Sequence, residues 1–278
     1  MFWFLNNLIF NDRINLMEFL IYIYVFIFGA IIGSFLNVVV LRYNTGESII
    51  RAGSKCFSCG KNLKWYELIP VVSFIAQKGR CRNCKSKISW QYPIVEFLTG
   101  LIFLSVFSIQ YSVFSNFSLY FFLNVLYYFI IFSLLIIIAV YDLRHQIIPN
   151  FFVYTFIFLS FFSVFIKHYE LLVMGYDFLS GFILFVFFAS LWFFSKGRAM
   201  GFGDTKLALG IGWLLGLQKG IVAIVLSFWI GAAVSILLLF FLKKRYNMKS
   251  RIAFGPFLVL GAVISFFWGG SVLPYVFW

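Results

Sequence analysis

Apolar runs longer than 18 residues recur along this chain, and no soluble fold can bury so many of them around one core. The sequence is 63% hydrophobic and only 11% charged, which excludes an ordinary soluble domain. The runs are continuous rather than alternating, so they predict transmembrane helices and not the strands of a membrane barrel. Expected spans cover 18–41, 93–109, 119–140, 150–166, 178–194, 220–242 and 254–272. A shorter piece at 207–217 is marginal in length for a full crossing. The expected fold is therefore an all-α polytopic membrane protein with about eight transmembrane helices.

The net charge of +13 raises the question of nucleic acid, but the placement of the charges answers it. Ten of the 22 Lys and Arg residues fall between Arg42 and Lys87, and five more between Lys243 and Arg251. Charge gathered in loops between spans reads as topology, with the basic loops on the cytoplasmic side. Eight crossings with the N-terminus outside put loops 42–91, 141–149, 195–206 and 243–252 in the cytoplasm. There they can touch anionic lipid headgroups, and no nucleic-acid partner is expected. Residues 1–17 carry Asn6, Asn7, Asp12 and Arg13 with no basic region before a short apolar core. They read as an N-terminal segment and not as a cleavable signal.

Loop 42–91 is the one long polar segment. Cys56-Phe57-Ser58-Cys59 and Cys81-Arg82-Asn83-Cys84 place two C-x-x-C pairs in it. Two such pairs suit a tetrahedral Zn²⁺ bound by four thiolates, while a reducing cytoplasm disfavours disulfides. Four thiolates leave no open position, so the expected zinc is structural: it folds a segment too small and polar to build its own core. Between the pairs, 62–74 has the pattern of a short amphipathic piece lying along the membrane face.

Carboxylates at membrane depth are costly and therefore informative. Asp204 lies in Gly201-Phe202-Gly203-Asp204-Thr205-Lys206, between two apolar runs. Asp142 lies at the cytoplasmic end of another span, in Tyr141-Asp142-Leu143-Arg144-His145. The topology puts both on one side at similar depth. Two facing carboxylates cannot both ionise easily and so share a proton. One then activates water as a base while the other donates a proton, the division of labour of an aspartyl hydrolase. Gly201 and Gly203 would let an extended substrate backbone approach. Lys206 reads either as a topological anchor or as a charge that tunes Asp204. The same pair would serve a proton-coupled transporter, and a membrane-anchored zinc scaffold is a third reading. In the first span, Gly29, Ala30, Gly33 and Ser34 would admit a close helix neighbour, and Asn37 reads as helix–helix glue or part of a polar site. Glu96 follows Pro93 by one turn and reads as an N-terminal helix carboxylate or a functional group. His145 and His168 read as interfacial and loop residues.

Six motifs in order carry a family resemblance: Gly33-Ser34-Phe35-Leu36-Asn37-Val38 with Arg42, the paired C-x-x-C loop, Ile88-Ser89 with Tyr92-Pro93-Ile94-Val95-Glu96, Asp142-Leu143-Arg144 leading to Ile148-Pro149-Asn150, Gly201 to Lys206, and Phe254-Gly255-Pro256. In these the chain resembles the type IV prepilin peptidases, bifunctional leader peptidases and N-methyltransferases of pilus and type II secretion systems. It departs at Phe57 and Ala253, where that family commonly has Pro. The resemblance implies that Asp142 and Asp204 are the catalytic pair of a G-x-G-D aspartyl peptidase in the bacterial inner membrane. Its implied substrates are prepilins and pseudopilins, cut after Gly at the cytoplasmic face. It also implies methylation of the new N-terminus by S-adenosylmethionine, associated with residues 18–100, and a peptidase core in 101–278. Asn37, Arg42 and Glu96 are the candidate methyltransferase residues.

Overall fold

The computed structural model describes residues 16–113, 118–167, 171–198, 200–241 and 252–276. Most of the expected N-terminal segment, His168 and the basic run at 243–251 lie outside the described residues. The elements are helices: α1 (Leu16–Arg42), α2 (Val72–Ala76), α3 (Gln91–Val113), α4 (Leu119–His145), α5 (Asn150–Lys167), α6 (Leu171–Phe194), α7 (Phe202–Phe241) and α8 (Gly255–Val276), with a 3₁₀ turn at Trp65–Glu67. Helices are what a lipid-exposed backbone must form, because hydrocarbon offers it no other hydrogen-bond partners. Five described helices are long and apolar enough to cross a membrane, namely α1, α3, α4, α6 and α7, while α5 and α8 carry shorter apolar stretches. Two pieces expected separately, at 207–217 and 220–242, fall in the single 40-residue helix α7, which is broken at Gly216 by non-helical angles (φ 76°, ψ 177°).

The chain divides into two compact units, Met1–Ser133 and Leu134–Trp278. The division falls inside α4, beyond the functional boundary expected at residue 100, because the first half of α4 packs with the preceding helices. Phe129 stacks on Phe103 at 3.9 Å, and Phe121 and Val125 share a buried cluster with Val25, Phe103 and Phe107.

In the first unit, α1 and α3 pack through small residues. A methyl group on Gly33 would lie 2.8 Å from the Glu96 Cα, so only glycine allows the two backbones to meet there. Pro93 sits in the first turn of α3, where a missing N–H costs no helical bond. In the second unit, α6 and α7 cross at Gly181 and Gly212, where a methyl on Gly212 would lie 2.6 Å from the Gly181 Cα. Ser180 ties this crossing by donating to the Gly212 carbonyl at 2.7 Å, and Ser163 joins α5 to the same stretch by donating to the Trp213 carbonyl at 3.0 Å. The Trp213 indole donates to the Phe178 carbonyl at 2.9 Å. These bonds hold the first half of α7 in place just before its break.

Candidate functional site

Asp142 lies near the C-terminal end of α4 and Asp204 in the first turn of α7. Both are buried, 4% and 6% exposed. Their helix environments are opposite. Asp204 sits among the unpaired amides of a helix N-terminus, whereas the exposed carbonyls at the end of α4 repel negative charge at Asp142. A second helix compensates: the Gly255 amide, at the start of α8, donates to Asp142 Oδ2 at 3.1 Å. α4 then ends sharply. Gln146 adopts a left-handed conformation (φ 54°) and its amide returns to the Asp142 carbonyl at 2.8 Å.

The segment that follows brings the ends of three helices together. Ile148 is buried. A methyl on Gly203 would lie 2.9 Å from its Cβ, and a methyl on Gly255 would lie 3.4 Å from its Cδ1. Ile148 is thus a wedge between the starts of α7 and α8, and Gly203 and Gly255 are the positions that admit it. Gly201 opens toward the acid, since a methyl there would lie 3.8 Å from Asp204 Oδ2. Lys206 points elsewhere: its Nζ donates to Asn150 Oδ1 at 3.0 Å and lies over the Tyr154 ring at 4.8 Å. Two residues along a helix from Asp204, it cannot share that carboxylate's face. The neighbouring Thr205 is fully buried, and its hydroxyl has no hydrogen-bond partner among the described residues. Gly255 and Ile148 stand in the motifs quoted above, yet no local pattern assigned them these contacts. The available signal was Phe-Gly-Pro opening a helix, whose first amides attract a carboxylate.

The cysteines form a second centre, in the first unit. The four sulfurs lie within 4.8 Å of one another, and Cys56 Sγ and Cys84 Sγ are 3.8 Å apart. That is far beyond a disulfide bond of about 2.05 Å. It matches the edge of a tetrahedron with metal–sulfur bonds of about 2.3 Å. The sequence repeats one device twice. The Cys56 amide donates to the Lys61 carbonyl at 2.9 Å and the Cys81 amide to the Ser86 carbonyl at 2.9 Å, each closing a knuckle. Backbone amides of Cys59 and Ser58 hold the Cys56 thiol down at about 6, and the Ser86 hydroxyl lowers Cys84. Asn83 donates to Cys59 Sγ at 3.7 Å, supporting a thiolate from outside the sulfur cluster. The donor set fits one tetrahedral ion.

The remaining sequence candidates hold the first unit together. Asn37 is buried and uses its amide fully, donating to the Gly33 and Tyr92 carbonyls and accepting from Gln91 at 3.2 Å. It therefore ties α1 to the start of α3. The Arg42 guanidinium gathers the loop after α1, donating to the carbonyls of Ser48, Ile49, Ala52 and Gly53 at 2.7–3.4 Å. Glu96 accepts the Val71 amide at 2.7 Å. Val71 has φ 60°, an outlying conformation for a β-branched residue, and that bond helps hold it.

Fold and site together define a polytopic helical membrane protein with two buried aspartates and a four-cysteine cluster. Two family descriptions match it: the Bacterial Peptidase A24 N-terminal domain over residues 27–110 and the Type IV leader peptidase family over residues 129–236. The chain belongs to the type IV leader peptidase family. It is 32% identical over 254 residues to a prepilin leader peptidase/N-methyltransferase of Bacillus subtilis, covering 90% of this chain and 95% of that protein. It is 29% identical over 263 residues to one of Vibrio cholerae, covering 88% of this chain and 97% of that protein. A relative of the same name in Myxococcus xanthus is 49% identical over 81 residues, a match covering 29% of this chain and 24% of that protein. No solved structure gives a significant match.

Proposed function

We propose that this protein is an intramembrane aspartyl peptidase that removes the leader of type IV prepilins or pseudopilins. Cleavage follows a Gly at the cytoplasmic face of the bacterial inner membrane, and the protein then N-methylates the new terminus. The observation that supports the peptidase reading is that Asp142 and Asp204 are both buried, on separate helices whose ends lie close to Ile148.

The chemistry follows from that pair. One carboxylate takes a proton from water as the water oxygen attacks the scissile carbonyl, and the other, protonated, donates to the carbonyl oxygen. Collapse of the tetrahedral intermediate breaks the C–N bond, and the leaving amine takes up a proton from the pair. The Gly255 amide holds one oxygen of Asp142, which restrains the carboxylate for the reaction. Gly201 and Gly203 leave the backbone space that an extended substrate needs. Lys206, bound to Asn150, anchors the start of α7 to that of α5 beside the site.

Membership of a peptidase family weighs against the transporter reading of the same aspartates. For the cysteine centre we propose structural Zn²⁺, held by Cys56, Cys59, Cys81 and Cys84. S-adenosylmethionine would supply the methyl group to the new amine. Asn37 and Arg42 already have their polar atoms engaged by the chain's own backbone and side chains, which favours a role in holding the first unit together. Glu96 is likewise engaged, buried and accepting the Val71 amide at 2.7 Å. One experiment reads both activities: incubation with a prepilin and S-adenosylmethionine, then mass measurement of the product. The expected product has lost its leader and gained one methyl group. An intact prepilin would overturn the peptidase reading, and a cleaved but unmethylated product would restrict the protein to cleavage.

A further inference from the structure

In the first unit a groove of about 890 Å³ opens where α2 meets the first turns of α3. Its apolar wall includes Ile94, Phe97 and Leu98 from α3, all about half exposed, with Ile75 and Trp90 more exposed still. Its rim carries Lys78, Arg80 and Lys87, all exposed. No carboxylate lines the groove, and none of these three cations is in an ion pair among the described residues. The two acids nearest in sequence are already committed. Glu67 is buried and accepts the Lys64 amide at 2.9 Å, and Glu96 accepts the Val71 amide.

An apolar wall continuous with a membrane-crossing helix and a rim of three unpaired cations is a surface for an amphiphile with an acidic head. We propose that this groove binds an anionic phospholipid, its phosphate on Lys78, Arg80 and Lys87 and an acyl chain along Ile94, Phe97 and Leu98. Charge decides the occupant. An apolar helix would leave the three cations without counter-charges, and a basic peptide would meet like charge. A membrane phospholipid satisfies both halves at once, and Trp90 at the mouth is the amphipathic side chain favoured at headgroup depth. The groove would thereby seat the cysteine-centre loop on the bilayer through a specific lipid as well as through general attraction.

The test is native mass spectrometry of the full chain in detergent, titrated with phosphatidylglycerol or phosphatidylcholine of the same chain length. The expected result is a bound phosphatidylglycerol held about tenfold more tightly than phosphatidylcholine, as modest attractions from three cations add up. The triple variant Lys78→Gln/Arg80→Gln/Lys87→Gln should lose that preference. The control variant Arg51→Gln/Lys85→Gln, which changes exposed cations of the same loop outside the groove, should keep it. Headgroup glycerophosphate without acyl chains should not compete. Equal affinity for the two lipids would overturn the proposal. So would an unaffected triple variant, an equal loss in the control, or effective competition by the free headgroup. Metal content measured on each variant verifies that the loop is still folded.

Discussion

The amide of Gly255 and the carboxylate of Asp142 meet at 3.1 Å although 113 residues separate them. The contact leaves no room for a side chain, because a methyl on Gly255 would lie 2.6 Å from Asp142 Oδ2. Gly255→Ala must therefore push the acid aside. With Asp142 displaced by up to an ångström, cleavage should fall about 10²-fold, while membrane insertion and helix content remain unchanged. A cleavage assay beside circular dichroism checks this, and unchanged cleavage would remove Gly255 from any positioning role.

Asp142→Asn and Asp204→Asn should each reduce leader cleavage by at least about 10²–10⁴-fold, since either change removes the acid–base partner of the other. Both variants keep size and shape, so the purified proteins should melt within a few degrees of the parent. Residual cleavage near the parent's rate in either one would rule out the pair. Proton uptake by proteoliposomes that depended on these aspartates would restore the transporter reading.

Thr205→Val offers the opposite kind of change. The Thr205 hydroxyl is buried and unpartnered among the described residues, and such a group costs about 1–3 kcal/mol. Replacing it with an apolar group of the same shape should leave the melting temperature unchanged or raise it. A clear fall would mean that the hydroxyl has a partner after all.

Removal of the metal should act on one region. Chelation, or Cys56→Ser or Cys84→Ser, should release about one Zn²⁺ per chain. Protease sites between 43 and 90 should then open while the transmembrane helices stay intact. A metal-free preparation with the loop still resistant to protease would refute the structural role.

Arg42→Lys retains the charge but not the fork. Two guanidinium nitrogens serve four carbonyls of the following loop, and a lysine ammonium cannot reproduce that geometry. Limited proteolysis within 43–53 should quicken several-fold. Equal resistance in the variant would show that the charge alone suffices.

Much of this was legible in the sequence because it rests on local pattern. The apolar runs, the paired C-x-x-C motifs and the two aspartates beside apolar runs each announce themselves within a few residues. Asn37 had two readings, and the structure gives it the contacts of helix glue. What stayed hidden depends on distant parts of the chain. Nothing near Arg42 reveals that it will collect four carbonyls, and nothing near Val71 announces a positive-φ backbone latched by Glu96. Lys206 read either as a topological anchor or as a charge that tunes Asp204, and three-dimensional packing turns it to Asn150. The compact units divide at Ser133 because Phe129 finds Phe103, a pairing that no periodicity marks.

The break at Gly216 has a mechanical consequence for Asp204. The half of α7 before it rises only about 20 Å, less than the roughly 30 Å of hydrocarbon in a bilayer. A helix that short cannot be held by headgroup anchors at both surfaces. Its height is set instead by the protein around it, through Ser180, Ser163 and the Gly181–Gly212 crossing. The depth of the Asp204 carboxylate is consequently fixed by neighbouring helices and should change little between thin and thick membranes, where a single continuous span would tilt to match.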